Sequence, residues 1–379
     1  MTPLVDPDDF PASRTWAYLD AANMALTYRG ADEAVRAWQK DVAYYGSIHF
    51  DDDAEATVFD ELHVAAARLF KATPDDIAAG SSATELLSSL AWALAPDADT
   101  NVVSTATAFP STVYPWRRVA QHTGCEVRLA RGQKGYTGSD DLLQLIDPHT
   151  AVVCVSHVEY SGGQRFDLAT LADAAHARGA LLVVDASQSA GALPIDAPGT
   201  GIDALVCGSY KWLCGPFGAA VMYLAPPLHT TLEPGLIGFR SHREMWDLRA
   251  DRLRYPEAAR RFEFSTMAYG CALGMTEAIT FLLDIGIERI FRYNRLLSDR
   301  LIQGLEARHI EITSPRGEAE RTSIVTARFP GRDPARVAAT LKAARVMVSC
   351  RKDIVRFTPH LYNTPADIDR VLACIDDGL

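Results

Sequence analysis

The sequence predicts an α/β fold in which a mostly parallel sheet lies between helices. Short apolar runs, such as residues 181–184 and 204–207, alternate with longer segments of helical periodicity. Runs that are apolar on both faces are typical of strands in a parallel sheet covered on each side. Their alternation with helices indicates repeated βαβ units, whose crossovers are right-handed. With 379 residues and 48% apolar content, the chain can form one large domain and a smaller one.

The strands and helices can be placed along the chain in order. Sheet strands are predicted at 101–105, 126–130, 151–156, 181–186, 204–209 and 219–224, with a strand-like run at 77–79. Helices are predicted at 32–42, 54–70, 83–94, 113–122, 140–146 and 168–178, and residues 269–308 are helical throughout. The tail alternates strand, helix, strand and helix at 323–329, 334–344, 354–358 and 365–376. We expect a short strand at 17–20 to enter the core.

Charge, hydropathy and cysteine usage exclude several function classes. The net charge is −11 and the pI about 5.4, so no basic field attracts nucleic acid or an anionic membrane. No apolar run is long enough to span a bilayer, and the acidic N-terminus lacks the apolar core of a signal peptide. The seven cysteines are scattered without a C-x-x-C pair, which argues against a metal site and suits reduced thiols in a cytoplasm.

Two charged residues follow buried strands of the predicted sheet. Asp185 ends the apolar run 181–184, and Lys211 follows the run 204–207. Charged groups at buried strand ends are costly to desolvate unless a ligand neutralises them. Pyridoxal phosphate meets that demand, because the lysine forms a Schiff base with its aldehyde and the carboxylate keeps its ring nitrogen protonated. The structural alternatives are an Asp that caps the next segment and a lysine on the surface.

A phosphate site is indicated by the segment Gly80-Ser-Ser-Ala-Thr-Glu85. A strand-like run leads into a helix start there, where free N–H groups and the hydroxyls of Ser82 and Thr84 suit a phosphate. The alternative is a capping box, since Ser82 and Glu85 have Ser-x-x-Glu spacing.

Four further residues could contact the same cofactor. Phe109 follows a predicted strand end, where it could stack on a planar ring or serve in a helix-start staple. Gln188, one turn after the aspartate, can donate to a ring oxygen. Ser209 and Tyr210, beside the lysine, can reach a phosphate.

With these residues the chain resembles the class V aminotransferase family of fold-type I pyridoxal phosphate enzymes. The family includes cysteine desulfurases, selenocysteine lyases, kynureninases and isopenicillin N epimerases, and the resemblance runs over residues 18–364. It implies a seven-stranded, mostly parallel sheet between helices and a small C-terminal α+β domain. The implied division is an N-terminal segment over the active site (1–30), a large cofactor-binding domain (31–270), connecting helices (271–309) and the small domain (310–379).

The resemblance also implies the cofactor contacts. The positions that match them are Ser82, Ala83, Thr84, Phe109, Tyr160, Asp185, Gln188, Ser209, Tyr210 and Lys211. Lys211 and Asp185 are the implied catalytic residues, the first as imine-forming amine and base, the second as partner of the ring nitrogen. Phe109 falls where the family stacks a His or, in kynureninases, a Phe on the ring.

On the substrate side, Arg356 matches the arginine that clamps the substrate carboxylate, a pairing that a bidentate guanidinium favours. Asn23 and His49 are expected near the substrate, and His360 is expected to orient the arginine or to lie beside it. Thr266 is similar to a threonine that crosses a dimer interface to the partner's phosphate, which implies a homodimer.

Three departures from cysteine desulfurases narrow the expected reaction. Cys350 is closer to Arg356 than the desulfurase nucleophile would be, Phe109 cannot shuttle a proton, and Tyr160 stands where desulfurases place Asn. These departures favour a lyase or aminotransferase that acts on a specialised amino acid. The resemblance to the lyase branch of the family leads us to expect C–S β-elimination from a cysteine S-conjugate in specialised metabolism. The alternatives are transamination or decarboxylation-linked deamination of a related amino acid, and a non-catalytic pyridoxal phosphate binder. A nicotinamide dehydrogenase would need the G-x-G-x-x-G that Gly80-Ser-Ser-Ala-Thr-Glu85 lacks.

Overall fold

A computed structural model describes residues 3–132 and 136–378. The strands are β1 Ala17–Tyr18, β2 Ile77–Gly80, β3 Asn101–Thr105, β4 Glu126–Ala130, β5 Thr150–Ser156, β6 Leu181–Asp185, β7 Ala204–Gly208, β8 Ala220–Leu224, β9 Glu311–Ile312, β10 Val325–Arg328, β11 Val346–Met347, β12 Ser349–Arg351 and β13 Ile354–Phe357. The helices are α1 Arg29–Tyr45, α2 Asp52–Thr57, α3 Asp60–Phe70, α4 Ala83–Leu94, α5 Pro110–Thr123, α6 Ser139–Leu143, α7 Leu168–His176, α8 Ala197–Thr200, α9 Tyr269–Ile285, α10 Ile287–Glu306, α11 Pro334–Ala343 and α12 Pro365–Asp376.

Seven strands form the main sheet in the order β2-β8-β7-β6-β5-β3-β4. β8 runs antiparallel to both of its neighbours, and the other neighbouring pairs are parallel. The predicted α/β fold with a mostly parallel seven-stranded sheet is therefore confirmed. β6 and β7 lie side by side in the centre of the sheet, so their carboxyl ends, at Asp185 and Gly208, share one edge.

Helices cover both faces of this sheet, as the two-sided apolar runs predict. Along β6, Leu182 and Val184 pack into one buried cluster and Val183 packs into the other. Side chains of a strand alternate between the faces, so a fully apolar run serves two cores at once.

A smaller antiparallel sheet, in the order β12-β13-β10-β9, lies in the C-terminal part of the chain. Its core includes side chains of α10, α11 and α12, together with Ala17 and Leu19 from the N-terminal segment. β1 pairs in parallel with β11, and Asp20 forms an isolated bridge with Thr358. The strand predicted at 17–20 thus exists in shortened form and joins this second core.

The helical stretch predicted at 269–308 consists of two helices. α9 ends at Ile285, and α10 begins after Gly286, whose φ of 93° lies in the region that favours glycine. The two axes are bent by 78°. In the described ranges no single helix is long and apolar enough to cross a membrane. Taken together, α9 and α10 have the length and composition of a membrane span, but no other feature of one is described. The helix predicted at 54–70 is likewise divided, into α2 and α3.

Candidate active site

Lys211 and Asp185 lie in the same cavity, at the carboxyl edge of the main sheet. The wall is formed by the ends of β6 and β7, the start of α4, the start of α5 and the segment before β8. Its lining residues are Ser81, Ser82, Ala83, Thr84, Leu87, Phe109, Ser111, Asp185, Ser187, Val206, Gly208, Tyr210, Lys211, Phe217, Gly218 and Ala219. Residues far apart in the sequence meet here because parallel strands end at one edge.

Lys211 is a buried amine among aromatic rings. Its Nζ lies 5.5 Å from the centroid of the Phe109 ring and 5.7 Å from that of Tyr210. Burial lowers the pKa of Lys211, although the carboxylate of Asp185 opposes this shift. A depressed pKa increases the share of neutral amine, the form that can attack an aldehyde or accept a proton.

Asp185 is a buried carboxylate held by neutral donors. The Thr112 hydroxyl donates to its Oδ2 at 3.0 Å, and the Ser187 backbone N–H donates to its Oδ1 at 2.9 Å. Within residues 3–132 and 136–378, no lysine, arginine or histidine nitrogen comes within 4 Å of either oxygen. A buried carboxylate without a cationic neighbour can stabilise a protonated ring nitrogen that enters the cavity.

The start of α4 offers hydroxyls and N–H groups to an anion. Ser82 is the N-cap of α4, and its hydroxyl accepts from the Glu85 backbone N–H at 3.1 Å. The Glu85 carboxylate binds Ser81 and not Ser82, so the cap is real but is not a reciprocal capping box. The Thr84 hydroxyl donates to that of Ser111 at 2.9 Å, which brings the starts of α4 and α5 together.

These groups fit pyridoxal phosphate. The buried amine of Lys211 faces the cavity into which Asp185 presents an unpaired negative charge, and the phosphate would lie against the hydroxyls at the start of α4. Phe109, whose side chain is 41% exposed, offers a ring face on the same side as the lysine amine.

Two predicted cofactor residues are engaged with the protein itself. The Gln188 amide donates to the Ala22 carbonyl at 2.8 Å and accepts from the Trp212 indole N–H at 2.7 Å, which leaves one amide N–H for a ring oxygen. The Ser209 hydroxyl donates to the Pro216 carbonyl, and the residue is fully buried outside the cavity lining. Ser209 therefore holds the segment after Lys211 in place.

Arg356 is buried outside the lining of this cavity, and one of its guanidinium nitrogens lacks a hydrogen-bond partner among the described residues. Its Nε donates to the Ser349 hydroxyl at 3.2 Å, and its Nη1 donates to the Tyr160 carbonyl. Nη2 lies 3.7 Å from Asp20 Oδ1, and neither atom has a hydrogen-bond partner among the described residues. Burial lowers the pKa of Arg356 to about 10, so the group stays charged near neutral pH. A carboxylate would satisfy the free N–H groups.

The other predicted substrate residues are placed differently. His360 is fully buried, and its ring nitrogens bond to the Trp212 carbonyl at 2.9 Å and to the Asn294 amide at 3.1 Å, so the structure does not bring it to Arg356 or to a substrate. His49 is exposed and bonds to Asp41 at 2.9 Å, away from the cavity lining.

Asn23 and Thr266 lie at the surface. The Asn23 amide bonds to Asp20 and to Arg351, both at 3.3 Å, so it lies next to the carboxylate that faces Arg356. Thr266 is exposed and does not line the cavity of its own chain.

Cys350 lies on the opposite face of its strand from Arg356. In the β12–β13 register, Arg356 is opposite Ser349, whereas Cys350 is opposite Val355. Residues directly opposite each other share a face, and neighbours along a strand do not. Within the described residues no cysteine lines the cavity that holds Lys211.

Sequence reasoning missed several residues of the site. Thr112 and Ser187 hold Asp185, Ser111 joins the hydroxyl cluster, and Asp20 faces Arg356. Ser111 and Thr112 follow Phe109 at a helix start, a position that could have indicated them. Asp20 gave no such signal, because its partner is distant in the sequence.

Comparison with known proteins identifies the family. The sequence profile of the family described as Aminotransferase class-V matches residues 18–371. The uncharacterised aminotransferase YcbU of Bacillus subtilis is 26% identical over 359 residues, which cover 95% of this chain and 93% of that protein. A kynureninase of Deinococcus radiodurans is 31% identical over 327 residues, which cover 83% and 77%.

The fold also matches a solved enzyme. The apo structure of a cysteine desulfurase from Thermococcus onnurineus superimposes with a TM-score of 0.87 at 26% identity, over 98% of this chain and 96% of that one. A match of the family profile to nearly the whole chain, together with a cavity that fits the cofactor, establishes the assignment: the chain belongs to the class V aminotransferase family of pyridoxal phosphate-dependent enzymes.

Proposed function

We propose that the protein is a C–S β-lyase that converts a cysteine S-conjugate and water into a thiol, pyruvate and ammonia. The observation that carries this proposal is the orientation of Cys350, on the face of β12 opposite to Arg356. Cysteine desulfurases are among the similar proteins, but transfer of sulfur to the enzyme requires a thiol at the site. Because no cysteine is among the described lining residues, we expect the sulfur to leave as a thiol that is still bonded to its substituent.

Each residue then has one task. Arg356 binds the substrate carboxylate, and its buried, hydrogen-bonded position orients the bond to be broken. The Lys211 amine, whose pKa is lowered by burial, takes the α-proton. Pyridoxal phosphate, when bound, supplies an electron-accepting ring that stabilises negative charge at the α-carbon. Asp185 favours the protonated ring nitrogen, and the C–S electron pair departs with sulfur.

A kynureninase-type reaction is the second candidate. Phe109 stands at the ring-stacking position where kynureninases also carry Phe, and a kynureninase is 31% identical over 83% of this chain. That activity would use the same lysine and arginine but would break a C–C bond.

We further propose a homodimer in which Thr266 reaches the phosphate site of the partner subunit. Two observations support it: Thr266 is exposed, and the cavity beside the start of α4 is lined by the exposed ring of Phe217. A second copy that covers this side would exclude water from the phosphate.

The experiment is a substrate panel. The loaded enzyme is incubated with S-alkyl and S-aryl cysteines, L-cystine and L-kynurenine. Free thiol, pyruvate, other keto acids, anthranilate and carbon dioxide are measured. Equal amounts of thiol and pyruvate from a conjugate are expected. Anthranilate from kynurenine without any thiol would replace the lyase by the kynureninase-type reaction. A keto acid that keeps its sulfur substituent would indicate transamination, and carbon dioxide would indicate decarboxylation.

A further inference from the structure

Glu159 is a buried carboxylic acid outside the groups that hold cofactor or substrate. It follows the end of β5 and is 1% exposed. The Thr105 hydroxyl, at the end of β3, donates to its Oε1 at 2.7 Å. Its Oε2 has no hydrogen-bond partner among the described residues. A buried carboxylate with one unpaired oxygen is costlier than the neutral acid, because the neutral acid has no charge to desolvate.

The surroundings of Glu159 favour its neutral form. Burial raises its pKa to about 7, the hydroxyls of Thr105 and Thr107 oppose that shift, and the charge of Asp185 adds to it. Asp185, on β6, is the titratable group that faces it from another element of the described chain. His157, on its own segment, stays neutral because burial lowers its pKa to about 3. Near neutral pH, Glu159 is therefore divided between its two forms.

Glu159 begins a closed turn that carries part of the substrate site. Its N–H donates to the Gln164 carbonyl at 2.8 Å, and the Gly163 N–H donates to its carbonyl at 2.8 Å. Within the turn, the carbonyl of Tyr160 accepts from Arg356, and the Tyr160 ring packs edge-on against Phe109 with centroids 5.3 Å apart.

The turn also lies tightly against the segment that leads into β10. Gly163 has a φ of 73°, and a Cβ at this position would meet Ile324 at 2.6 Å. The Thr322 hydroxyl donates to the Gly163 carbonyl at 2.9 Å. A shift of the turn would therefore move the Tyr160 carbonyl, which accepts from Arg356, and the Tyr160 ring, which packs against Phe109.

We propose that Glu159 is a positioning residue for substrate binding, whose neutral acid anchors the turn 159–164 and whose ionisation loosens the hold of Arg356 on the substrate carboxylate. Ionisation places a second buried negative charge near Asp185, and the charge is relieved only if the turn opens towards water. Substrate affinity then falls as the pH rises through neutrality. The inference rests on carboxylate binding at Arg356, and it does not depend on which bond the enzyme breaks.

The test is the affinity for L-alanine, which carries no leaving group. Its apparent dissociation constant is measured for the loaded enzyme from the visible absorption of the cofactor, between about pH 5.5 and about pH 8.5. The wild type is compared with Glu159→Gln, in which the amide stays neutral. Titration of the alanine amine and of Lys211 cancels in the ratio of the two constants.

The expected ratio of wild-type to Glu159→Gln dissociation constants is about one at the acid end and about tenfold by about pH 8. The control Glu61→Gln alters an exposed glutamate of α3 and should give a ratio near one throughout. A ratio that stays flat for Glu159→Gln, with both proteins folded, overturns the proposal.

A second variant keeps the proposal testable if Glu159→Gln does not fold. Thr105→Val keeps the shape of the side chain but removes the hydroxyl that stabilises the ionised form of Glu159. The midpoint of the loss of L-alanine affinity should then move to higher pH than in the wild type. An unchanged midpoint contradicts the proposed role.

Discussion

The burial of Lys211 and of Asp185 is energetically unfavourable unless a ligand binds between them. Burial of an amine and of a carboxylate costs free energy that no direct pairing in the described structure recovers. Buried charged groups without a direct partner are characteristic of functional sites. Asp185 keeps only neutral donors, so its negative charge is available to a ring nitrogen.

Replacement of Asp185 by Asn should separate cofactor binding from turnover. The amide cannot stabilise a positive ring nitrogen, so kcat is expected to fall roughly 100-fold or more while the cofactor is still bound. Cofactor content and product release would be measured on the same preparation. Thr112→Val, which removes one donor but keeps the carboxylate, should cost less than tenfold. Full turnover by Asp185→Asn would contradict the role given to Asp185.

The sequence predicts some residues of the site and misses others for a physical reason. Lys211 and Asp185 are recognisable because each follows an apolar strand, and a charged side chain there needs a partner. The positions of the His360 and Glu159 side chains depend on long-range contacts, such as the hydrogen bond from His360 to the Trp212 carbonyl, 148 positions away in the sequence. No local pattern records a contact of that kind.

Among the elements, the start of α4 both caps the helix and lines the cavity. Its bounds, Ala83–Leu94, coincide with the predicted 83–94, since an N-cap Ser and a continuous apolar periodicity define both ends. The same start lines the cofactor cavity through Ser82 and Thr84. We therefore expect Ser82 to contribute both to the stability of α4 and to cofactor binding.

Ser82→Ala should lower both stability and cofactor affinity. Loss of the cap is expected to reduce the free energy of unfolding of the apoprotein by about 1 kcal/mol. The matched control is Asp333→Ala, which removes the N-cap of α11, where Asp333 accepts from the Ala335 N–H at 3.0 Å. Both variants should lose similar stability in chemical denaturation, but only Ser82→Ala should weaken cofactor binding in an equilibrium titration. Equal cofactor affinity in the two variants would contradict the phosphate assignment.

Short elements and breaks are the parts of the fold that the sequence conceals. β11 and β12 have two and three residues, too few to display an alternation. The helical periodicity continues across Gly286, so the bend between α9 and α10 depends on a backbone angle and not on composition. Longer elements without an internal break, such as α4 and α7, are in contrast predicted to within a few residues.

In the whole molecule, the proposed substrate site is assembled from three parts of the chain. Asp20 comes from the N-terminal segment, Tyr160 from the loop after β5, and Arg356 from β13 in the smaller sheet. The division into a large domain (31–270) and a small domain (310–379) stays a prediction. The Tyr160 carbonyl, which lies in the first range, orients Arg356, which lies in the second. The hypothesis of a homodimer extends this dependence to a second copy.

Sedimentation of the loaded enzyme should show a dimer, and Thr266→Ala should weaken cofactor binding from the partner side. A loss of one charge-assisted hydrogen bond predicts roughly a tenfold weaker affinity. Thr340→Ala, at an exposed threonine of α11, is the control and should leave the affinity unchanged. A monomer that holds the cofactor with wild-type affinity would rule out the proposed dimer contact.

The most direct measurement of the central claim is covalent trapping of the cofactor. The purified enzyme is loaded with pyridoxal phosphate, reduced with borohydride, digested and mapped by mass spectrometry. The added cofactor mass is expected on the peptide that contains Lys211, and it should vanish in Lys211→Ala but persist in Lys71→Ala, whose exposed amine pairs with Asp196. Cofactor mass on a different lysine, or none on a folded protein, would contradict the account.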